Sequence, residues 1–99
     1  MQTFGEIIHT QREKRSLLLR HVAASIDVDQ ALISKFERGD RLPTKEQVVR
    51  LAKLYELDEN ELISAWLADK IVFEMRNEKM ALQAMKRAEQ LIKKTKTEK

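Results

Sequence analysis

The sequence predicts an all-α protein: a five-helix domain followed by a C-terminal helical extension. Three observations carry that expectation. Gly5 and Gly39 are the only glycines and Pro43 the only proline in 99 residues, so the chain has few places to turn tightly. Apolar residues recur at three- and four-residue spacing in segment after segment, the period of a helix with one buried face. Side chains that cap helix starts stand ahead of several of those segments. A chain this short has room for one compact domain and an appendage. The expected division is residues 1–66 for the domain and 67–99 for the extension.

The elements follow in order. Phe4, Ile7 and Ile8 share one face of a first helix over residues 3–14, a face that Gln11 and Arg12 continue. Ser16 breaks the pattern. Leu17, Leu19, Val22, Ala23 and Ile26 then mark a second helix, interrupted at Asp27 and Val28. Asp29 can accept from the free N–H groups of the next turn, and Leu32, Ile33 and Phe36 supply the buried side of a third helix that ends at Gly39. Thr44 with Gln47 forms a capping-box pattern ahead of Val48, Leu51, Ala52 and Tyr55, the fourth helix. Asp58 with Glu61 repeats the signal, and the stripe Leu62, Ile63, Trp66, Leu67, Ile71, Val72, Met75 outruns a helix of ordinary length. Asn77 is the expected cap of a last helix carrying Met80, Ala81, Met85, Ala88 and Ile92, with residues 93–99 a frayed basic tail.

Composition excludes several functions. With no cysteine there is no disulfide framework, thiolate metal site or Cys nucleophile. The start lacks a basic segment leading into an apolar stretch, and no apolar run is long enough to span a bilayer, so a soluble cytoplasmic protein is expected. A net charge of +3 is mild for a nucleic-acid binder and decides nothing alone. No Gly-rich phosphate loop is present, and His9 and His21 stand alone, so neither an enzyme nor a metal, cofactor or small-molecule site is expected.

The second and third helices, joined by about three residues, form what a major groove admits: one helix inside it, held from behind by another. Any helical bundle contains such a pair, so spacing alone is a weak signal. The residues sharpen it. Val22-Ala23, the turn Ile26-Asp27-Val28, the run from Ile33 to Gly39 and the loop residues Arg41, Pro43 and Thr44 resemble the Cro/C1-type helix-turn-helix regulators, the XRE family. With Phe4-Gly5-Glu6 and Arg12 included, the resemblance covers somewhat more than half the chain. It implies a five-helix, phage-repressor-like domain whose third helix enters the major groove. It also implies an internal ion pair of Arg12 with Glu37, and a small residue at Ala23 where the two helices cross.

On this resemblance the exposed face of the third helix reads bases through Gln30, Ala31, Ser34 and Lys35. A Gln amide can pair bidentately with adenine, and Ala31 can touch a thymine methyl. Arg38, Arg41 and Thr44 are the candidate sugar-phosphate contacts. The chain departs from the family where Leu18 and Leu19 replace a capping Ser or Thr and a phosphate-binding Gln. Arg20 is the candidate substitute, His21 is expected to be a plain surface residue, and Asp27 stands for a turn glycine.

The apolar stripe beyond Ile63 needs a cover. The chain's own core could supply it, but a homodimer is the favoured reading, with Trp66, Ile71, Val72, Met75, Met85 and Ile92 at the interface. Pairing two domains along the duplex multiplies the base pairs read, with half-sites about 10 bp apart or a multiple of that. Heptad spacing is not sustained, which favours a helical-hairpin or bundle interface. The expected function is therefore sequence-specific binding of double-stranded DNA by a dimeric transcriptional regulator, of repressor or restriction-modification controller type. The rival is an interaction adaptor, antirepressor or antitoxin that keeps the fold.

Overall fold

A computed structural model describes residues 1–97. The described chain is all helical: α1 (Phe4–Lys14), α2 (Leu19–Ile26), α3 (Gln30–Arg38), α4 (Lys45–Leu54), α5 (Glu59–Met75) and α6 (Ala81–Thr97).

The first five helices share one core of Phe4, Ile8, Val22, Ala23, Ile26, Ile33, Phe36, Val48, Leu51, Ala52, Tyr55, Leu62 and Trp66. The principal packed pairs are α4 with α5, α2 with α3, α1 with α3, α1 with α5 and α2 with α4. α1 comes close to the end of α3 at Gly5. A Cβ there would stand 2.6 Å from the Phe36 carbonyl oxygen and 2.7 Å from that of Glu37, so only glycine lets α1 lie against the end of α3.

Helix starts are secured by side chains. The Thr3 hydroxyl accepts from the Glu6 N–H (3.2 Å) while the Glu6 carboxylate accepts from the Thr3 N–H (2.8 Å). Thr44 and Gln47 do the same for α4, and Asp29 and Asp58 cap α3 and α5. The ends of the first four helices share one device, a left-handed residue followed by a backbone bond into the last turn. It occurs at Ser16 (φ 53°), Asp27 (φ 60°), Gly39 (φ 78°) and Glu56 (φ 54°). Their successors close it: Leu17 N–H to Arg12 O, Val28 N–H to Ala23 O, Asp40 N–H to Lys35 O and Leu57 N–H to Ala52 O, at 2.9–3.1 Å. Three of the four positions carry a side chain where glycine costs least.

The C-terminal part differs from the sequence expectation at three points. α6 begins at Ala81, so Asn77 does not cap it. The chain enters through backbone turns instead, Glu78 N–H to Met75 O (2.9 Å) and Ala81 N–H to Glu78 O (3.2 Å). Residues 93–97, expected to fray, continue α6, supported by Lys93 lying 3.9 Å from Glu89 one turn earlier and by the Thr95 hydroxyl donating to Leu91 O. The remainder of that expected tail, residues 98–99, lies outside the described residues. Trp66, placed by sequence at a dimer interface, is 6% exposed and sits in the chain's own core, because its face of α5 is the one turned toward α4 and the α3–α4 loop.

Candidate nucleic-acid interface

α2 and α3 pack against each other, and Ala23 of α2 is buried in the shared core at 4% exposure. Ile33 and Phe36 turn one side of α3 into the core, so Gln30, Ala31 and Lys35 stand exposed on the other and Ser34 is half-buried between. Four residues of one amphipathic helix thus present a polar face to solvent, and no side chain of α6 lies among the core packed against that helix.

Basic side chains surround this face with unequal freedom. Arg20 shares a shallow hollow with Leu18, Leu19, Arg12 and Gln30, which brings a candidate phosphate contact beside a candidate base reader. Arg38 is engaged already: its Nε donates to Asp40 Oδ2 (2.9 Å) and its Nη1 to the Ser34 hydroxyl. Any anion must compete with Asp40 for it. Arg41 is exposed with no hydrogen-bond or ion-pair partner among the described residues. Thr44 spends its lone pair on the Gln47 N–H, which leaves its own hydrogen to donate outward.

Behind the face lies a partly buried charge network. Arg12 grips Glu37 with two parallel bonds, Nε to Oε2 (2.7 Å) and Nη2 to Oε1 (3.0 Å), and its Nη1 donates to the Leu17 carbonyl (3.0 Å). Side-chain exposure is 15% for Arg12 and 7% for Glu37. Burial pushes the Glu37 carboxyl up, but the hydrogen bonds from Arg12 and His9 outweigh it and hold the carboxyl below its ordinary value. The Arg12 guanidinium is correspondingly raised by its bond to Glu37. One network therefore ties α1, the entry to α2 and the C-terminal end of α3.

Several residues here were not singled out from sequence. His9, read as standing alone, faces Glu37 Oε1 with Nδ1 (2.8 Å) and Glu13 with Nε2. His21, read as a plain surface residue, is exposed, yet its Nδ1 accepts from the Leu18 N–H (3.1 Å). It thereby performs the capping that Leu18 has no side-chain oxygen for, and a histidine three positions into the helix was the available signal. Arg50 donates to Ile26 O (3.2 Å) and Arg15 to Tyr55 O (2.6 Å), closing the ends of α2 and α4. Asp69 on α5 accepts from the first N–H of α1, that of Phe4 (3.1 Å); burial raises its carboxyl against the pull of that bond.

On the far side, α5 and α6 splay to leave an apolar groove of about 690 Å³ lined by Leu67, Ile71, Met75, Met85, Ala88 and Ile92, with Lys70, Glu74, Glu89 and Lys93 at its margins. Val72 and Leu82 border an adjoining hollow. Among the described residues no helix is long and apolar enough to cross a membrane, and no cluster of His, Asp and Glu is arranged to hold a metal.

Two short helices packed together, a left-handed turn between them and an outward polar face on the second define a helix-turn-helix domain, a class of DNA-binding fold. A family model described as "Helix-turn-helix domain" matches residues 3–64, well over half the chain, and the protein belongs to that family. No curated protein matches the sequence.

Proposed function

We propose that this protein binds double-stranded DNA sequence-specifically as a homodimer and regulates transcription from the cytoplasm, in the manner of the Cro/C1-type (XRE) regulators. The observation that carries the reading is the open outer face of α3, where Gln30, Ala31 and Lys35 are exposed and none of the described residues of the C-terminal third covers them. Gln30, Ala31, Ser34 and Lys35 read base edges in the major groove. Arg20, Arg41 and the Thr44 hydroxyl hold the sugar-phosphate chain, and Arg38 joins them by exchanging Asp40 for a phosphate.

A second copy is the occupant proposed for the α5–α6 groove. Ile71, Val72, Met75, Met85 and Ile92 form a continuous apolar surface there, and large exposed patches of this kind on small soluble domains mark association sites. The margins carry two lysines and two glutamates, so a copy related by a twofold axis can set each Lys against a Glu. α5 carries four acids and one lysine, whereas α6 carries five bases and one acid, which favours α6 of one copy lying on α5 of the other. Residues 1–66 are then the reading unit and 67–99 the dimerising extension, with the division falling inside the continuous α5.

Selection of duplexes from a random pool, followed by titration at several salt concentrations, tests the reading. Gln30→Ala should change which sequences are preferred. Arg41→Ala should weaken all of them alike and make the salt dependence shallower by about one in log-log slope. Retention of no duplex even at low salt would remove DNA binding and leave the interaction-adaptor reading.

A further inference from the structure

The segment between α3 and α4 has no helix of its own, yet it carries Arg41 and delivers Thr44 to the start of α4. Its first residues are tied by the exposed Arg38–Asp40 pair. Its last are tied from within by α5: Pro43 is buried, and its carbonyl accepts a 2.9 Å hydrogen bond from the indole N–H of Trp66. Trp66 is the one tryptophan in the chain, and Lys70 Nζ lies 4.4 Å from the centre of its ring. That same Lys70 stands at the margin of the α5–α6 groove. Further along, Val72 and Phe73 of α5 and Arg76 just beyond its end border a hollow whose other wall is Arg38, Gly39 and Leu42. One side of α5 therefore props the loop while another lines the groove.

We infer that Trp66 is a positioning residue for DNA binding: its N–H fixes the backbone of residues 39–44 against α5 and so couples the groove-lining helix to the loop that grips the sugar-phosphate chain. The inference rests on the DNA-binding reading above. A loop ordered in the free protein has less conformational freedom to lose when it meets a phosphate, and that saving appears as affinity. Without the indole N–H, the buried Pro43 carbonyl loses its partner and the loop its inner anchor. The loss falls on backbone grip. Base reading is spared, because α3 is held separately by Ile33 and Phe36 in the core and by Arg12 on Glu37.

The experiment uses the full chain in two altered forms. In one, Trp66 is replaced by β-(3-benzothienyl)alanine, which keeps the shape of the indole but has sulfur in place of the N–H; the other is Trp66→Phe. Each is titrated, over a range of salt, against the duplex the wild type selects and against an unrelated duplex. We expect wild-type circular dichroism and mass in solution, with an affinity about tenfold lower for both duplexes alike. The log-log salt slope should be shallower by about one and the preference between duplexes unchanged. Wild-type affinity and slope in the benzothienyl form overturns the inference, as does a loss confined to the selected duplex. Should Trp66→Phe fail to fold, the benzothienyl form carries the test alone, and its own failure to fold assigns the bond to stability and overturns the positioning role. A wild type that binds neither duplex at low salt refutes the DNA-binding reading itself, a result separate from altered forms that match a binding wild type.

Discussion

The packed unit of α1–α5 and the hairpin of late α5 and α6 use the same residue types to opposite ends. In the first, each apolar stripe meets another, and helix ends are closed by side chains that reach across the fold: Asp69 to Phe4, Arg50 to Ile26, Arg15 to Tyr55, Trp66 to Pro43. In the second, Val72, Phe73, Met80, Leu82, Leu91 and Ile92 are each more than half exposed, and bonds such as Ala81 N–H to Glu78 O and the Thr95 hydroxyl to Leu91 O are local to a turn or helix. A helix stripe that joins no core among the described residues leaves an apolar surface open to solvent. The contrast also separates duties. The packed unit holds a polar face rigidly outward on α3, and the hairpin leaves an apolar one open.

Substitutions should affect the two regions differently. The largest effect is expected at Arg12→Ala, which leaves the partly buried Glu37 carboxylate with His9 as its remaining side-chain partner and should cost about 3 kcal/mol in urea-unfolding free energy. The same pair sets an acid limb. Because the folded Glu37 carboxyl lies below its unfolded value, its stabilisation is present above the unfolded pKa and is lost as pH falls through the folded one. Glu37→Gln should flatten that limb in urea melts run from neutral to acid pH. Asp69 acts with the reverse sign: its folded carboxyl is raised, so its protonation favours the fold as pH falls and offsets part of the loss.

Next comes Gly5→Ala, where the new methyl meets two backbone carbonyls that cannot swing aside; about 2–3 kcal/mol should be lost in the same measurement. Ile71→Glu probes the other region. It should convert the proposed dimer to monomer by sedimentation while the unfolding free energy of the monomer stays within about 0.5 kcal/mol of wild type, since Ile71 is exposed and outside the core. A variant that stays dimeric, or one whose core unfolds, would show the two regions to be less separate than drawn. The smallest effect is a gain: Glu56→Gly relieves a left-handed residue at the end of α4 and should add up to about 1 kcal/mol, visible as a higher melting temperature.

Much of this architecture was legible in the residues. Thr44 with Gln47, Asp29, Asp58 and Gly39 announce helix ends because capping is local chemistry, confined to four or five consecutive positions. The outward face of α3 follows from the spacing of Ile33 and Phe36. What escaped has a common character. His9, Asp69, Arg15, Arg50 and the Trp66 N–H all engage partners on other elements, several of them backbone carbonyls that every residue possesses and that therefore leave no mark in a sequence. Trp66 was misplaced for a related reason: periodicity shows that it shares α5 with Ile71 and Met75 but not that its side of the helix is spent on the core. The start of α6 was misjudged at Asn77 because a capping side chain competes there with turns made by backbone alone.

The amino-acid sequence by itself determined the class of fold, the order and approximate limits of the first five helices and the polar character of the α3 surface. These depend on the 3.6-residue period and on capping contacts between near neighbours. Only the tertiary structure decided which side of α5 belongs to the core, which carboxylate meets which guanidinium, and that the Trp66 N–H meets the Pro43 carbonyl. Those outcomes depend on the distances between helices, and distances between elements far apart in the chain are set by packing, not by any run of adjacent residues.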